Sequence, residues 1–242
     1  MEQHSPDRVV GTLEHLYRHW EEKQKTANRA ERLSAAPSHF AIALSREVGT
    51  PGTAVAHEVG ARLGWPVYDY QLLERIAKDL SVHTRLLESV DERRVSWLKE
   101  AFEGFLSVPG VSATAYFHRL VKTVLALGSH GECIIVGRGS PFILPAETTL
   151  RARLVAPEED RIQALCSRQA CSHEDGKRQL EALERQRKYF VQNHFLKDPA
   201  DPRHHDLVLN SSRFGIEGCA ELIIAALSIA RTRPKGDTKI VA

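Results

Sequence analysis

Short apolar runs alternate along the chain with longer segments in which apolar residues recur every three or four positions. The short runs predict five buried strands, at 40–45, 66–69, 133–137, 150–157 and 206–210. Continuous apolar strands of this length are typical of a parallel sheet that is covered on both faces. Because parallel strands need crossover connections, the alternation predicts an α/β fold with helices on both sides of a central sheet.

Helical spacing of apolar residues predicts the connections between these strands. The expected helices span 53–63, several stretches of 70–110, 113–127, 157–170, 174–193 and 215–230. Gly64 and Gly128 are expected to end the helices at 53–63 and 113–127, since glycine readily takes the left-handed conformation that follows a helix.

A further amphipathic helix is predicted at 5–33, before the first strand. Its apolar face carries Val9, Val10, Leu13, Leu16, Tyr17 and Trp20. We therefore divide the chain into an N-terminal helix with its linker at 1–37, a main domain at 38–232 and a flexible tail at 233–242. An appended helix of this kind allows a homodimer through the N-terminal segment.

The composition supports one main domain. Of the 242 residues, 42% are hydrophobic, which is enough for one sizeable core. Lys plus Arg number 33 and Asp plus Glu 31, so the net charge of +2 gives no reason to expect a nucleic-acid partner. No apolar run approaches the ~18 residues that span a bilayer, and the N-terminus lacks the pattern of a signal peptide. We therefore expect a cytoplasmic protein without a membrane partner.

The four cysteines, Cys133, Cys166, Cys171 and Cys219, lack the paired spacing of a metal site. Their apolar or helical neighbours predict buried thiols in a reducing compartment. The histidines form no H-E-x-x-H pair, so no metal-ligating residues are expected.

The stretch at 40–64 combines a strand, a glycine turn and a helix, the order that builds phosphate-binding loops. Gly49 and Gly52 allow the main chain to present N–H donors to an anion at the helix N-terminus. The turn nevertheless lacks the lysine of the G-x-x-x-x-G-K-[ST] pattern, and Pro51 removes one donor. A tight strand-to-helix connection without a ligand therefore stays open as an alternative.

Three polar residues, Arg46, Asp69 and Arg138, each follow a predicted strand directly. Ligands of parallel sheets bind at the carboxyl ends of the strands, so these side chains are expected near a ligand. Arg46 is close enough in sequence to reach phosphates in the turn, but an ion pair with the adjacent Glu47 is an equally good interpretation. Thr53 is expected to cap the helix, with contact to a phosphate or Mg²⁺ as the alternative.

Several motifs follow one another in order between about 40 and 230, namely S-R-E-x-G-x-x-G, GWPVYD, CIIVGRGS, LVAPEEDRI and HDLVLNSSRFGIEGCAELI. Together they resemble the cytidylate-kinase-like family, a branch of the P-loop nucleoside monophosphate kinases. The resemblance implies a three-layer P-loop kinase fold, with a helical acceptor-binding insert at about 70–110 and a lid at about 171–190. It also implies transfer of the γ-phosphoryl of ATP to a nucleoside monophosphate, first of all CMP or dCMP, with Mg²⁺ as cofactor.

The same resemblance implies a set of site residues. The turn would bind ATP through Ser45, Arg46, Gly49, Thr50, Gly52, Thr53 and Ala54. The acceptor would contact Asp69, Arg75, Gly137 and Arg138. The catalytic cations would be Arg46, Arg138, Arg185 and Arg187, of which the last two belong to the lid.

The chain departs from the family pattern at two positions. Relatives often show S-R-E-[YF]-G-S-G-G-R, with a basic residue where this chain has Thr53, and Gly-Arg-Asp where it has Gly139. Alternatives therefore stay open: Arg75 as an exposed helix residue that pairs with Glu74 or Asp79, and the lid arginines as solvated charges. Two alternatives also stay open for the function of the whole protein. One is a relative that binds a nucleotide or a protein without catalysis, and the other is a kinase of another small metabolite.

Overall fold

A computed structural model describes residues 40–88, Val90 and residues 114–232. The predicted N-terminal helix, the last part of the predicted insert at 91–110 and the predicted tail lie outside the described residues. Within the described part, no helix is long and apolar enough to cross a membrane.

A five-stranded sheet forms the centre of the fold and confirms the predicted architecture. Its strands are β1 (Ala41–Arg46), β2 (Val67–Tyr68), β3 (Ile134–Val136), β4 (Thr149–Val155) and β5 (Leu207–Asn210). Their order is β2-β3-β1-β4-β5, and every neighbouring pair is parallel. The carboxyl ends of all five strands therefore lie along one edge, where the chain turns into the following helices.

The helices lie between and after the strands. They are α1 (Gly52–Leu63), α2 (Tyr70–Lys78), α3 (Leu80–Glu88), α4 (Ala115–His130), α5 (Ser140–Ile143), α6 (Glu158–Gln169), α7 (His173–Phe195) and α8 (Ser211–Thr232). Two short 3₁₀ helices occupy Ala146–Thr148 and Pro202–His204. The sequence did not predict α5 or the 3₁₀ helices, because segments of three or four residues carry no period.

Two helix ends show how well glycine predicted the boundaries. Gly64 ends α1 in the left-handed conformation, as predicted. The prediction that Gly128 ends the next long helix is wrong, because α4 continues to His130 and Gly131 is its cap. Gly128 instead lies within α4, where a β-carbon would overlap the side chain of Leu144. This glycine serves close packing rather than helix termination.

Apolar residues cover the sheet on both faces. In β1, Ala41 and Ala43 belong to a core cluster with α2, α3 and α4, whereas Ile42 and Leu44 belong to a second cluster with α1 and α8. This alternation follows from the two-residue period of a strand. Each fully buried aliphatic side chain contributes about 1.5–3 kcal/mol to the free energy of unfolding, so both layers hold the sheet edge in place.

Candidate functional site

The β1–α1 turn leaves helix amides available to an anion. Helix α1 begins at Gly52, after Pro51, and no side chain caps it. The prediction that Thr53 is the cap is wrong, because Pro51 takes that position with φ −79° and Thr53 is the second helical residue. The first helical amides have no acceptor inside a helix, and the helix dipole adds positive charge to them. Thr53 and Ala54 are both exposed, so their N–H groups offer donors to phosphate oxygens.

The turn itself is held tightly by its own polar groups. Thr50 Oγ1 donates a hydrogen bond to the carbonyl of Glu47 at 2.9 Å, and Ser45 Oγ donates to the carbonyl of Ala152 at 3.4 Å. Gly49 has φ +91°, and a β-carbon there would lie 2.6 Å from the Arg161 carbonyl oxygen. Two of the predicted ATP-contacting hydroxyls thus donate to the protein, which leaves the main chain as the donor surface for phosphate.

Arg46 folds back over this surface. A β-carbon at Gly52 would lie 2.8 Å from Arg46 Cγ, and one at Gly137 would overlap Arg46 Nη1. The two glycines therefore leave the space that the guanidinium occupies. Gly137 also has φ +77°, a conformation in which any other residue is strained. The side chain of Arg46 thus bridges the turn after β1 and the turn after β3.

Like charges surround the Arg46 guanidinium. Burial and the positive charge of Arg187 lower the pKa of Arg46 to about 10; the carboxylate of Asp69 acts in the opposite direction, and the more weakly felt charge of Arg138 lowers the pKa further. Three cations and one anion therefore share this edge of the sheet. A folded chain that concentrates positive charge in this way has an electrostatic preference for an anion.

Glu47 does not neutralise this charge. The interpretation of the sequence in which Glu47 pairs with Arg46 is therefore wrong. Its carboxylate accepts a hydrogen bond from the amide of Ala156 at 3.1 Å. It also lies 3.5 Å from Arg161 Nε and 3.8 Å from Arg153 Nη2. Glu47 therefore belongs to a second, buried group of charges beneath the turn.

Arg161 is the centre of this buried group. The sequence analysis did not predict this role for it. Its Nε donates to the carbonyl of Ala156 at 3.0 Å, and its Nη1 lies 3.5 Å from the carbonyl of Val48. The same Nη1 donates to Glu184 of α7. A single side chain of α6 thus connects the turn after β1 to α7.

The two predicted lid arginines differ in position. Arg187 is exposed as a whole residue, but its Nη1 donates to the main-chain carbonyl of Arg46 at 3.2 Å, and partial desolvation of the guanidinium lowers its pKa. Arg185 is exposed, and its Nη1 lies 3.4 Å from Glu181 Oε2 one turn earlier. Of the two, the structure brings only Arg187 to the turn.

Arg138, a predicted acceptor residue, is held by a carboxylate and two aromatic rings. Its Nη2 donates to Glu74 of α2. Its guanidinium carbon lies 5.0 Å from the centre of the Tyr70 ring and 5.8 Å from that of Phe190, both within the range of cation–π attraction. Its Nε is buried without a hydrogen-bond partner among the described residues. Tyr116 OH also donates to Glu74, at 3.4 Å.

The backbone at Arg138 has an unusual conformation. Arg138 has φ +52°, between Gly137 at +77° and Gly139 at +74°. A non-glycine residue in this region is strained by roughly 1–2 kcal/mol. The turn therefore holds the backbone of Arg138 in the left-handed conformation, and the glycines on both sides allow this turn to form.

The remaining predicted acceptor residues, Asp69 and Arg75, lie at the start of α2 and within it. Asp69 caps this helix by accepting a hydrogen bond from the amide of Leu72 at 2.9 Å. Arg75 is exposed, and Glu74 pairs with Arg138 and Lys78, not with Arg75 as the sequence alternative proposed. Contact between Arg75 and an acceptor remains a prediction.

Comparisons with known proteins agree with this fold. A family model described as the cytidylate kinase-like family matches residues 41–213. A search of the curated proteins finds no match. A solved structure of an uncharacterized protein from Eubacterium ventriosum ATCC 27560 has a TM-score of 0.63 at 20% identity, over 79% of this chain and 99% of that chain. Shikimate kinase from Bacteroides thetaiotaomicron has a TM-score of 0.44 at 13% identity, over 78% of this chain and 98% of that chain. By the family match, which spans well over half of its length, the chain belongs to the cytidylate kinase-like family.

Proposed function

We propose that the chain is a phosphotransferase that moves the γ-phosphoryl of ATP to a nucleoside monophosphate, with CMP and dCMP as the first acceptors to test. The main support is the position of Arg46, which is desolvated beside two further guanidiniums and next to the open amides of α1. Membership of a kinase-like family supports the same reaction class.

Phosphoryl transfer asks the protein mainly for positioning and for positive charge around the equatorial oxygens. In this chain Arg46 and Arg187 would surround the transferred group, while the amides of Thr53 and Ala54 would hold the donor phosphates. The attacking oxygen belongs to an acceptor phosphate that is already an anion. The residues therefore need to bind and orient the two substrates, and no general base is required.

Magnesium, which the family uses with ATP, is held mainly by phosphate oxygens and water. The Thr53 hydroxyl is exposed at the start of α1, and Asp69 has a second carboxylate oxygen beyond the one that caps α2. These hard oxygen donors fit the ion, and when bound it would neutralise charge on the donor phosphates.

On the acceptor side, Arg138 would bind the monophosphate. Its Nε has no partner among the described residues and is available for an oxygen acceptor. Tyr70 is exposed over the guanidinium, so a planar base near Arg138 would meet an aromatic face. These contacts support an acceptor with an anionic end and a flat ring.

An acceptor panel tests this proposal. ADP formation should be measured with ATP, Mg²⁺ and each of CMP, dCMP, UMP and a set of hydroxylated metabolites. We expect acceptor-dependent ADP formation that is highest with a pyrimidine monophosphate. Background rates with every acceptor, from protein that melts cooperatively, would reject catalysis.

A binding protein without catalysis is the second candidate, because the family's basic residue is replaced by Thr53. Thermal unfolding with ATP or CMP separates the two. A ligand at about 100 times its Kd raises the free energy of unfolding by about 2.7 kcal/mol. Stabilisation by either nucleotide without turnover would establish the binding protein instead of the kinase.

Arg187 and Arg185 allow a test of the lid on one helix. We expect Arg187→Ala to lower kcat by about tenfold, since one charge-assisted contact to the transferred group is lost. Arg185→Ala should have a much smaller effect, because Arg185 pairs with Glu181 on its own helix, whereas Arg187 contacts the turn. Arg178→Ala is the control, as Arg178 is an exposed residue of the same helix that pairs with Asp175. Equal effects of the Arg187 and Arg185 variants on kcat would contradict this assignment.

A further inference from the structure

The turn between α6 and α7 brings two cysteines together. Helix α6 ends at Gln169, and Ala170 follows in the left-handed conformation with φ 52° and ψ 44°. In helix ends of this type, the residue after the left-handed one returns to the last helical turn and contacts the side chain five positions earlier. Here these positions are Cys171 and Cys166, so the end of α6 brings the two cysteines close together.

The side-chain contacts agree with this placement. Cys166 Sγ lies 3.3 Å from the carbonyl of Ser172, the residue that follows Cys171, so the two cysteines are neighbours at this helix end. A β-carbon at Gly176 would overlap the same Sγ. The sulfur of Cys166 is therefore enclosed between the end of α6 and the start of α7.

Accessibility separates this pair from the other cysteines. Cys133 and Cys219 are buried, whereas Cys166 and Cys171 are half-buried, and all four are free thiols. The prediction that the cysteines are buried is therefore wrong for these two, because the helix end that joins them lies at the surface. A small reagent can reach them while the protein stays folded.

We propose that Cys166 and Cys171 form a redox-active dithiol, which a small disulfide such as oxidised glutathione converts to an intramolecular disulfide. In the first step the Cys171 thiolate attacks one sulfur of the oxidant, whose S–S bond breaks and releases one glutathione thiol. In the second step Cys166 loses its proton and attacks the Cys171 sulfur, which releases the second glutathione. The protein loses two electrons and two protons, and the oxidant gains them.

The two thiols have different roles in this exchange. Desolvation, together with the adjacent Cys171 thiol, raises the pKa of Cys166. Cys166 is therefore the weaker nucleophile toward a reagent in solution and acts as the resolving thiol. Once Cys171 carries the mixed disulfide, the enclosed position of Cys166 gives it a high local concentration at the sulfur to be attacked.

The disulfide would join the last turn of α6 to the segment that leads into α7, and these two helices also share an ion pair. Arg161 of α6 and Glu184 of α7 are already joined, but that contact lies about three turns along α7 from its start. A covalent link at the α6–α7 turn would be a second connection between the two helices, in addition to this ion pair. The site is thus a modification site on the hairpin that carries Arg187, independent of which acceptor the protein uses.

Peptide mapping tests the proposal on the full chain. The protein is equilibrated in buffers with increasing ratios of oxidised to reduced glutathione, quenched with acid, alkylated and digested with trypsin without reduction. Trypsin cuts after Arg161, Arg168 and Lys177, so the two cysteines fall in separate peptides, 162–168 and 169–177. We expect these peptides to appear as one linked species, about 2 Da lighter than their sum. Two of the four thiols should disappear from a count in denaturant.

Variants make the result specific. Cys133→Ser and Cys219→Ser should still give the linked peptide, whereas Cys171→Ser and Cys166→Ser should abolish it. The Cys171→Ser protein should also react more slowly with glutathione than Cys166→Ser, because it lacks the attacking thiol. Separate glutathione adducts on the two peptides at every buffer ratio, or full alkylation of both cysteines after oxidation of the folded wild type, would overturn the proposal.

Discussion

Replacing Arg46 with methionine should lower kcat/KM by roughly 10³-fold and at the same time leave the protein as stable as the wild type or more stable. The loss of activity follows from the position of the guanidinium at the open end of α1, where no described lysine takes its place. Methionine keeps the apolar stem that packs near Gly52 and removes only the charge.

The gain in stability has an electrostatic cause. The pKa of Arg46 is lowered to about 10 by burial and by two neighbouring arginines, so keeping it charged opposes folding by something on the order of 2 kcal/mol. This penalty is present at neutral pH, where the group is charged in both the folded and the unfolded state. It disappears only as the pH rises through about 10. Removal of the charge should therefore raise the free energy of unfolding at neutral pH.

Steady-state kinetics and chemical denaturation of Arg46→Met measure both effects, with Arg46→Lys as the control that keeps a charge. Lysine lacks the planar fork of donors, so it should restore only part of the activity. A variant that loses activity because it unfolds would show that Arg46 is structural, and one that keeps full activity would remove the main support for the proposed function.

Arg138→Ala should raise the KM for the acceptor by roughly 100-fold, with little change in the KM for ATP. The reason is that Arg138 lies just after the end of β3, on the side of the sheet edge where α2 begins. The amides proposed to bind the phosphates of ATP lie instead on α1. Its guanidinium is already oriented by Glu74, Tyr70 and Phe190. An acceptor phosphate therefore finds a cation that needs no further ordering.

Glu74→Gln is the matched variant for this prediction. It keeps the size of the side chain and a carbonyl acceptor for Arg138, but it removes the negative charge that competes with a phosphate. We expect an acceptor KM within a few-fold of the wild type, far below that of Arg138→Ala. The measurement is a pair of saturation curves, one for each substrate. Equal increases in both KM values for Arg138→Ala would place this arginine outside the acceptor site.

The sequence predicted the architecture well, since each strand and each long helix of the described part follows from a local period. It also selected Arg46, Asp69 and Arg138 by a rule of position, because each follows a strand. The structure brings these three side chains into one electrostatic neighbourhood. Such a rule works because parallel strands share a carboxyl edge whatever the details of packing.

Partners of the site residues were not predictable in the same way. Glu47 is adjacent to Arg46 in sequence but pairs with arginines more than 100 positions away. Arg138 finds Glu74, which is 64 positions earlier. Side chains of neighbouring loop residues point in different directions, so tertiary packing decides these pairs. The sequence did not distinguish Arg187 from Arg185, since both lie in one strongly polar stretch of the same helix.

Arg161 makes one mechanical consequence of the fold clear. Because the same guanidinium contacts the Val48 carbonyl and the carboxylates of Glu47 and Glu184, α7 cannot swing away alone without breaking the ion pair between Arg161 and Glu184. The mechanically favoured moving body is therefore the α6–α7 hairpin, with its pivot beneath the glycine turn.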